Sequence, residues 1–352
     1  MQPTSPLHER HKQFLEREAE RTRPRESAER PGAATGSRTA GEIEYLPYGP
    51  RDEQGMVTCA LPAMFGEVEL EYAAIRRGVG LMDCPHRATI RVTGDDRLEF
   101  FRRMLTQDLE KFGAGRAERS FWLNRQGRIV ADLLLAEREG ATLVDVDIHQ
   151  AAKTIETLDA YIIADDVVME DVTERVYRVE MHGPKALEVL KSAAGQGGEG
   201  LKLEPGEATT ARIGGDEIDV ARSDTTGEIG LVLFVPRDGL DDVWVALLEA
   251  GAPPEQTSGP RFVRPVGWFA YNIARIEAGA PLFHVDFGPE NLPHETGLLR
   301  ERVSFTKGCY LGQEVVARME SLGRPKQQLV GLKVEGDRLP MAEAQVFAGD
   351  DE

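Results

Sequence analysis

The segment FTKGCYLGQE, residues 305–314, contains the cysteine that is best placed for chemistry among the three in the chain. Cys309 follows a glycine, and Lys307 stands two positions before it. The residues from Gln313 onward have helical spacing, which places the thiol just before a predicted helix N-terminus. Unpaired N–H groups at such a terminus, together with the Lys307 charge, favour the nucleophilic thiolate. The pattern predicts a functional thiol, with a structural cysteine lining a turn as the alternative.

The segment TTGEIG, residues 225–230, could hold a carboxylate in a fixed orientation. Gly227 and Gly230 permit a tight backbone around Glu228, directly before the apolar run LVLF. A carboxylate in such a turn can accept two N–H donors from a flat heterocycle that bears an amino group and a ring N–H. The alternative is a surface turn with a solvated glutamate.

A third segment, RIEAGAPLF at residues 275–283, ends a predicted helix at Gly279 and turns at Pro281. We expect Arg275 and Glu277 to pair locally within it. By itself this segment is typical of a helix C-terminus and assigns no chemistry.

The acidic pairs of the chain do not predict a metal site. Asp95 follows a strand and a glycine, so we expect it to cap the next helix. Asp145 and Asp147 alternate with valines, so we expect them on the solvent face of a strand. The chain contains no C-x-x-C or H-E-x-x-H spacing.

Several elements must position these segments, and they follow one recurring plan. A strand with Ile90 and Val92 on one face ends at a glycine, and a helical spacing through Leu98 and Phe101 follows. Similar strand–helix units occur near residues 144–162, 176–190 and 230–251. The plan predicts an α+β fold with helices on one face of each sheet, arranged as two related α/β sandwiches.

Composition narrows the function classes. The 352 residues suggest two or three domains, and the net charge of −18 argues against nonspecific binding to nucleic acid or to an anionic membrane. No apolar run approaches the length of a membrane span, and the N-terminus lacks the apolar core of a secretory signal. Three widely separated cysteines fit a reducing compartment, so we expect a cytoplasmic protein.

We predict four regions along the chain. Residues 1–44 form a polar tail that is expected to be disordered, with a transient helix over residues 7–22 as the alternative. Residues 45–170 form a first α/β unit, and residues 171–325 form a second one that carries KGCYLGQE. Residues 326–352 begin with one strand and a turn.

These segments resemble a known family. KGCYLGQEVVAR, RIEAGAPLF with NLPHE soon after it, and TTGEIG occur in the order expected for YgfZ-type proteins. Those proteins are folate-binding relatives of the glycine cleavage T-protein, an aminomethyltransferase, and they serve iron–sulfur cluster assembly. The resemblance runs from about residue 65 to residue 335, and the K-G-C-Y-x-G-Q-E segment is the part specific to the YgfZ-type branch.

The resemblance implies a T-protein-like cloverleaf of two ferredoxin-like α/β units and a C-terminal β-barrel around a folate channel. Only 27 residues follow Pro325, so we expect a partial or truncated barrel. Glu228 matches the glutamate that holds the pterin, and Cys309 matches the branch's functional cysteine, with Lys307 beside it. The remaining expected contacts to tetrahydrofolate come from the family's pattern and fall on Gly227, Arg275, Tyr271 and Asp132.

Two positions depart from the T-protein pattern. T-proteins carry two aspartates after a Gly-Gly turn, and here the first of them is Ala131, while Asp132 is kept. The group expected to orient or deprotonate the folate amine is therefore absent. An arginine expected shortly before RIEAG is Tyr271, which weakens one contact to the folate tail.

Together these features predict a tetrahydrofolate-binding accessory protein for iron–sulfur cluster assembly or repair. Because one cysteine cannot hold a cluster alone, Cys309 would share it with an assembly partner or client protein. The alternatives are a folate-dependent one-carbon transferase resembling the aminomethyltransferases, and a degenerate interaction module of the same fold.

Overall fold

The computed structural model describes residues 5–22, 43–51, 55–251, 262–336, 341, 344 and 345. Its helices are α1 (His8–Thr22), α2 (Val68–Arg77), α3 (Arg97–Met104), α4 (Ala151–Asp159), α5 (Ala186–Ala193), α6 (Leu240–Ala250), α7 (Trp268–Glu277), α8 (Leu299–Arg302) and α9 (Gln313–Leu322). Its strands are β1 (Glu44–Arg51), β2 (Val57–Met64), β3 (Val79–Asp83), β4 (Arg87–Thr93), β5 (Ala117–Leu123), β6 (Ile129–Arg138), β7 (Ala141–Asp147), β8 (Val168–Asp171), β9 (Val176–His182), β10 (Ala208–Ile213), β11 (Asp216–Arg222), β12 (Gly230–Pro236) and β13 (Val263–Val266).

Two open sheets organise the molecule. One sheet has six strands in the order β10-β11-β12-β9-β3-β13, in which β13 and β3 are parallel and the other neighbours are antiparallel. The other has five antiparallel strands in the order β5-β6-β7-β4-β8. A separate pair, β1 and β2, forms a short antiparallel ribbon. The predicted mixture of sheets and helices is confirmed.

Each large sheet buries one face against a pair of helices, as the sequence pattern predicts, but the six-stranded sheet also packs α2 and α7 against its opposite face at β3 and β13, through Ile75, Met82 and Val266. The six-stranded sheet buries its apolar face against α5 and α6, through a cluster that includes Val179, Val220, Leu190, Val243, Trp244 and Leu247. The five-stranded sheet does so against α3 and α4, through Ile90, Val144, Phe101 and Leu158. Removal of this apolar surface from water is the main force that holds each layer together.

The other faces of the two sheets pack against each other. Small and apolar side chains meet there, including Ala117, Leu134 and Leu143 from one sheet and Ala221, Val232 and Phe234 from the other. The face also carries charge, because Arg178 of β9 pairs with Asp145 of β7 across the interface and Arg87 donates from Nε to the same carboxylate at 3.0 Å.

This packing corrects the expectation for Asp145 and Asp147. Both are at most 1% exposed rather than on a solvent face. Strand alternation is as predicted, but the face opposite the helices is covered by the second sheet. The carboxylates are stabilised there by Arg87 and Arg178 at Asp145, and by the Tyr48 hydroxyl at Asp147.

The N-terminal segment differs from the expected disordered tail. Within residues 5–22 the chain forms α1, and Leu7, His11 and Phe14 are buried. The His11 ring packs at 5.3 Å from the ring of Trp244 on α6. These three side chains lie on one side of the helix, and burying them stabilises a segment that is otherwise polar. Residues 23–42 of the predicted tail lie outside the described residues.

The boundary predicted between residues 170 and 171 falls within β8, and one strand of the predicted first unit belongs to the sheet of the second. Strand β3 belongs to the predicted first unit and pairs with β9 in the six-stranded sheet. Among the described residues of 326–352, no strand is present. Leu329 N donates to Glu295 O at 2.8 Å, while the side chains of Val330 and Leu332 are more than half exposed.

The cap of α3 also differs from the prediction. The N-cap residue is Asp96 rather than Asp95, and its carboxylate makes no capping bond. It accepts a hydrogen bond from the backbone N–H of Asp166 at 2.8 Å, and the Asp166 carboxylate accepts one from the N–H of Asp95. The acidic residues thus join two loops instead of capping the helix.

In the described part of the chain, no helix is long and apolar enough to cross a membrane.

Candidate functional site

A cavity of about 420 Å³ opens where the two sheets meet. Strands β5 and β6 form one wall, and the segment from Arg222 to Gly227 forms the facing wall. The loop of residues 278–282 and the C-terminal end of α8 close its remaining sides. The lining mixes small, apolar and charged side chains, as ligand pockets commonly do.

The turn around Glu228 lies at one edge of this cavity. Gly227 lines the cavity with a φ of 79°, a conformation that favours glycine. The Glu228 carboxylate lies 3.4 Å from Nη1 of Arg76, and it is not among the lining residues. Arg76 also donates to the carbonyl of Thr226 at 2.6 Å, so this arginine holds the turn from outside. The carboxylate is therefore oriented by a cation next to the cavity.

Helix α7 carries two more of the predicted residues. Tyr271 is buried, and its hydroxyl donates to the Thr225 hydroxyl at 3.4 Å. Thr225 lines the cavity, so Tyr271 is one contact removed from it. The Tyr271 ring lies 5.2 Å from the ring of His182, the last residue of β9. Burial, followed in importance by the Glu180 charge, raises the pKa of the Tyr271 hydroxyl, which therefore remains a hydrogen-bond donor at neutral pH.

Arg275 shapes the cavity rather than lining it. Its guanidinium pairs with Asp286 at 2.5 Å and donates to the carbonyl of Ala280 at 3.2 Å. The Asp286 carboxylate accepts the N–H of Leu282 at 2.7 Å, so the pair fixes the cavity loop at Ala280 and at Leu282. The expected local pairing with Glu277 is wrong, because Glu277 lies 2.6 Å from Arg76 instead.

Asp132 and its neighbour Ala131 occupy opposite faces of β6. Ala131 is fully buried and packs in the core against the helices. Asp132 lines the cavity, and its Oδ1 accepts a hydrogen bond from Nε of Arg302 at 3.1 Å. The Asp132 carboxylate is therefore held against the cavity wall by a cation.

Cys309 lies outside the cavity lining and is exposed. Helix α9 begins four residues later, with Gly312 as its N-cap at a φ of 81°. Lys307 donates from Nζ to the carbonyls of Arg102 and Leu105, at the C-terminal end of α3. Burial lowers the pKa of Lys307 to about 8. The positive charge of Lys307 thus stabilises the C-terminal end of α3, which is a role that the sequence did not indicate.

Sequence reasoning also missed three residues of the cavity. Arg119 of β5 donates from Nε and Nη2 to the Ser223 hydroxyl at 2.9 and 2.7 Å, and Arg302 holds Asp132. Arg119 and Ser223 lie 104 positions apart and belong to no local motif. Only the packing of the two sheets brings them together.

In the part of the chain that the structure describes, no group of three or more histidines, cysteines and acidic residues is arranged to hold a metal ion.

Comparison with known proteins places this arrangement in a family. Residues 44–307 match the family model of the GCVT N-terminal domain. An aminomethyltransferase of Bacillus pumilus (strain SAFR-032) is 27% identical over 292 residues, which cover 82% of this chain and 77% of the relative. An aminomethyltransferase of Streptomyces avermitilis is 30% identical over 293 residues, which cover 82% and 76% of the two chains.

A solved structure has the same fold. The crystal structure of glycine cleavage system aminomethyltransferase T from Bartonella henselae superposes with a TM-score of 0.66 at 21% identity, over 80% of this chain and 72% of that one. Membership of the narrower YgfZ-type branch stays a prediction. The family match and the shared fold together show that the chain belongs to the GCVT N-terminal domain family, in which it is similar to the aminomethyltransferases.

Proposed function

We propose that this protein binds a tetrahydrofolate in the cavity between its two sheets. The observation that carries the proposal is the convergence on one cavity of Gly227, Asp132 and the loop that Arg275 fixes. These residues come from distant parts of the chain and were each expected near a folate. The cavity volume of about 420 Å³ lies within the range of small-molecule sites.

Calorimetric titration with 5-formyl-tetrahydrofolate tests this proposal. The wild-type protein should bind, and Ala280→Phe should abolish binding because Ala280 lines the cavity and the larger ring fills it. The matched control is Ala152→Phe, on an exposed position of α4. Equal binding by both variants would place the ligand elsewhere, and no binding by the wild type would refute the proposal.

Glu228 has a specific part in this proposal. Its carboxylate would accept N–H donors from the pteridine ring, and Arg76 would hold it in orientation. We expect Glu228→Gln to weaken folate binding about 10-fold or more, since a charge-assisted acceptor is lost. Arg76→Gln should weaken binding less, because it removes the orienting cation but leaves the acceptor.

One role for the bound folate is one-carbon transfer. The names of the relatives support this role, since each relative compared above is an aminomethyltransferase. The site itself supports it less well. Position 131 presents a buried methyl group, and the carboxylate of Asp132 is engaged by Arg302. No free carboxylate among the described lining residues of β6 is available to accept a proton from the folate amine.

A second candidate role is that of an accessory protein for iron–sulfur cluster assembly or repair. One observation favours it: Cys309 is exposed, whereas Cys59 and Cys84 are buried. An exposed thiol can meet a cluster, a persulfide or a client cysteine, and a partner would supply the remaining ligands. The fold would then bind folate without transferring a carbon.

Two assays separate these roles. A transferase should move a labelled aminomethyl carbon to tetrahydrofolate, and Cys309→Ser should leave that activity unchanged. An accessory protein should lack this activity, and a deletion strain complemented with Cys309→Ser should keep its defect in cluster-dependent enzymes. Full complementation by Cys309→Ser, together with measurable transfer, would exclude the accessory role.

A further inference from the structure

The cavity contains a cation without a counterion. Arg119 is half-buried on β5, lines the cavity and donates from two nitrogens to one acceptor, the Ser223 hydroxyl. Within the described residues, no carboxylate oxygen lies within ion-pair distance of its guanidinium. A neutral hydroxyl satisfies two hydrogen-bond donors but leaves the positive charge uncompensated.

The other two arginines of the cavity are paired. Arg302 lies 3.1 Å from Asp132 and 3.0 Å from Glu301. Arg222 makes two hydrogen bonds of 3.1 Å to the two carboxylate oxygens of Asp224. The acidic residues nearest to these arginines are therefore already engaged, which leaves Arg119 as the cation that faces the cavity with its charge unmatched.

The other charged groups around Arg119 do not supply the counterion that it lacks. Burial, followed by the Arg302 charge, lowers the pKa of Arg119, while Asp132 and Asp145 act in the opposite direction. Asp132 is held by Arg302, and Asp145 is shared by Arg87 and Arg178. The cavity also contains Glu118, whose pKa is raised by burial against the opposing charges of Arg116 and Arg302.

We propose that Arg119, with Ser223, binds a carboxylate group of the ligand that occupies this cavity. The guanidinium keeps donors that Ser223 does not use, and its planar fork suits a carboxylate better than a neutral group. The inference rests on the proposed folate binding, in which the carboxylate belongs to the glutamyl tail. The site then selects folates that carry this tail over pterins that lack it.

Calorimetry with two ligands tests the inference. One ligand is 5-formyl-tetrahydrofolate, which has tail carboxylates, and the other is 6-methyl-tetrahydropterin, which has none. We expect Arg119→Gln to weaken binding of the folate about 10-fold or more and to leave binding of the pterin unchanged. Arg119→Lys should recover part of the folate affinity, because it restores the charge without the fork.

The control variant is Arg138→Gln, at an arginine of β6 whose side chain is 42% exposed and pairs with Asp219. It should leave both affinities unchanged, and circular dichroism should show all variants folded. Equal weakening of both ligands by Arg119→Gln, or of neither, overturns the inference about Arg119 while folate binding stands. If the wild-type protein binds neither ligand, the proposed function fails as well.

Discussion

Arg302 donates from Nε to Oδ1 of Asp132 at 3.1 Å, and this ion pair ties the segment that leads to Cys309 to strand β6. Both side chains are less than 10% exposed. The Arg302 carbonyl also accepts the Thr106 hydroxyl at 2.6 Å, which fixes the segment from its other side. These two contacts of Arg302 therefore join the cavity wall to the segment that leads to Cys309.

Asp132→Asn should lower the free energy of unfolding by about 3 kcal/mol, because it leaves the buried Arg302 without its inner counterion. Urea unfolding of Asp132→Asn, Arg302→Met and the double variant gives the coupling energy between the two positions. Asp219→Asn is the control, since its partner Arg138 is 42% exposed and we expect a loss below about 1 kcal/mol. A coupling energy near zero would contradict the role of the pair.

Gly183→Ala should destabilise the protein by about 3 kcal/mol. Gly183 follows His182 at a φ of 147°, and a Cβ there would lie 2.1 Å from the carbonyl oxygen of Gly78. Its N–H donates to Ile229 at 2.9 Å, so the strain would reach the turn around Glu228. Gly197→Ala, where a Cβ meets nothing within 4 Å, should change stability by no more than about 0.5 kcal/mol. Thermal and urea unfolding would measure both, and equal losses would count against this packing.

Docking of α1 should weaken in acid because of His11. Burial lowers the pKa of His11 from 6.5 to about 3, so the unfolded chain binds a proton at a higher pH than the folded one. Stability is then lost as the pH falls from about 6.5 to about 3. Asp83, 3.4 Å from His11, opposes this trend, since burial raises its pKa from 3.8 to about 6.

His11→Phe keeps the ring packing and removes the titration. Unfolding in urea across this pH range should show a shallower loss of stability for the variant than for the wild type. A remaining slope is expected from His86, whose pKa burial lowers to about 4. Asp83→Asn should make the loss in acid steeper. An unchanged slope in His11→Phe would show that this histidine is already charged or exposed.

Cys309 should be the one thiol that reacts in the folded protein. Cys59 is 5% exposed and Cys84 is fully buried, and burial raises the pKa of Cys59 to about 12 and that of Cys84 well above its usual value. Iodoacetamide should add one group to the native protein and three to the denatured protein, as read by intact mass. Iodoacetamide should add no group to the native Cys309→Ser variant. Resistance of native Cys309 would exclude an accessible functional thiol.

Local patterns in the sequence predicted most of the elements. The strand through Ile90 and Val92 and the helix through Leu98 and Phe101 appear as β4 and α3, and the helix expected from Gln313 appears as α9. Periodicity identifies these elements because each one buries a single face. The same reasoning could not predict that a second sheet covers the face that carries Asp145.

The candidate site was only partly predictable for a related reason. Gly227 and Asp132 stand in recognisable segments, so the resemblance located them, and both line the cavity. Arg119 and Ser223 carry no motif, and their contact depends on how two sheets pack, which is a long-range property of the fold. Lys307 was expected beside the thiol, but its ammonium group is drawn to the carbonyls of Arg102 and Leu105.

The most direct test of the central claim is a crystal structure of the protein soaked or co-crystallised with 5-formyl-tetrahydrofolate. We predict density for the ligand in the cavity between the sheets, with the pteridine against the turn of Gly227 and Glu228 and a tail carboxylate within hydrogen-bond distance of Arg119. Density at another site, or an empty cavity at a ligand concentration that saturates the protein in calorimetry, would contradict the claim.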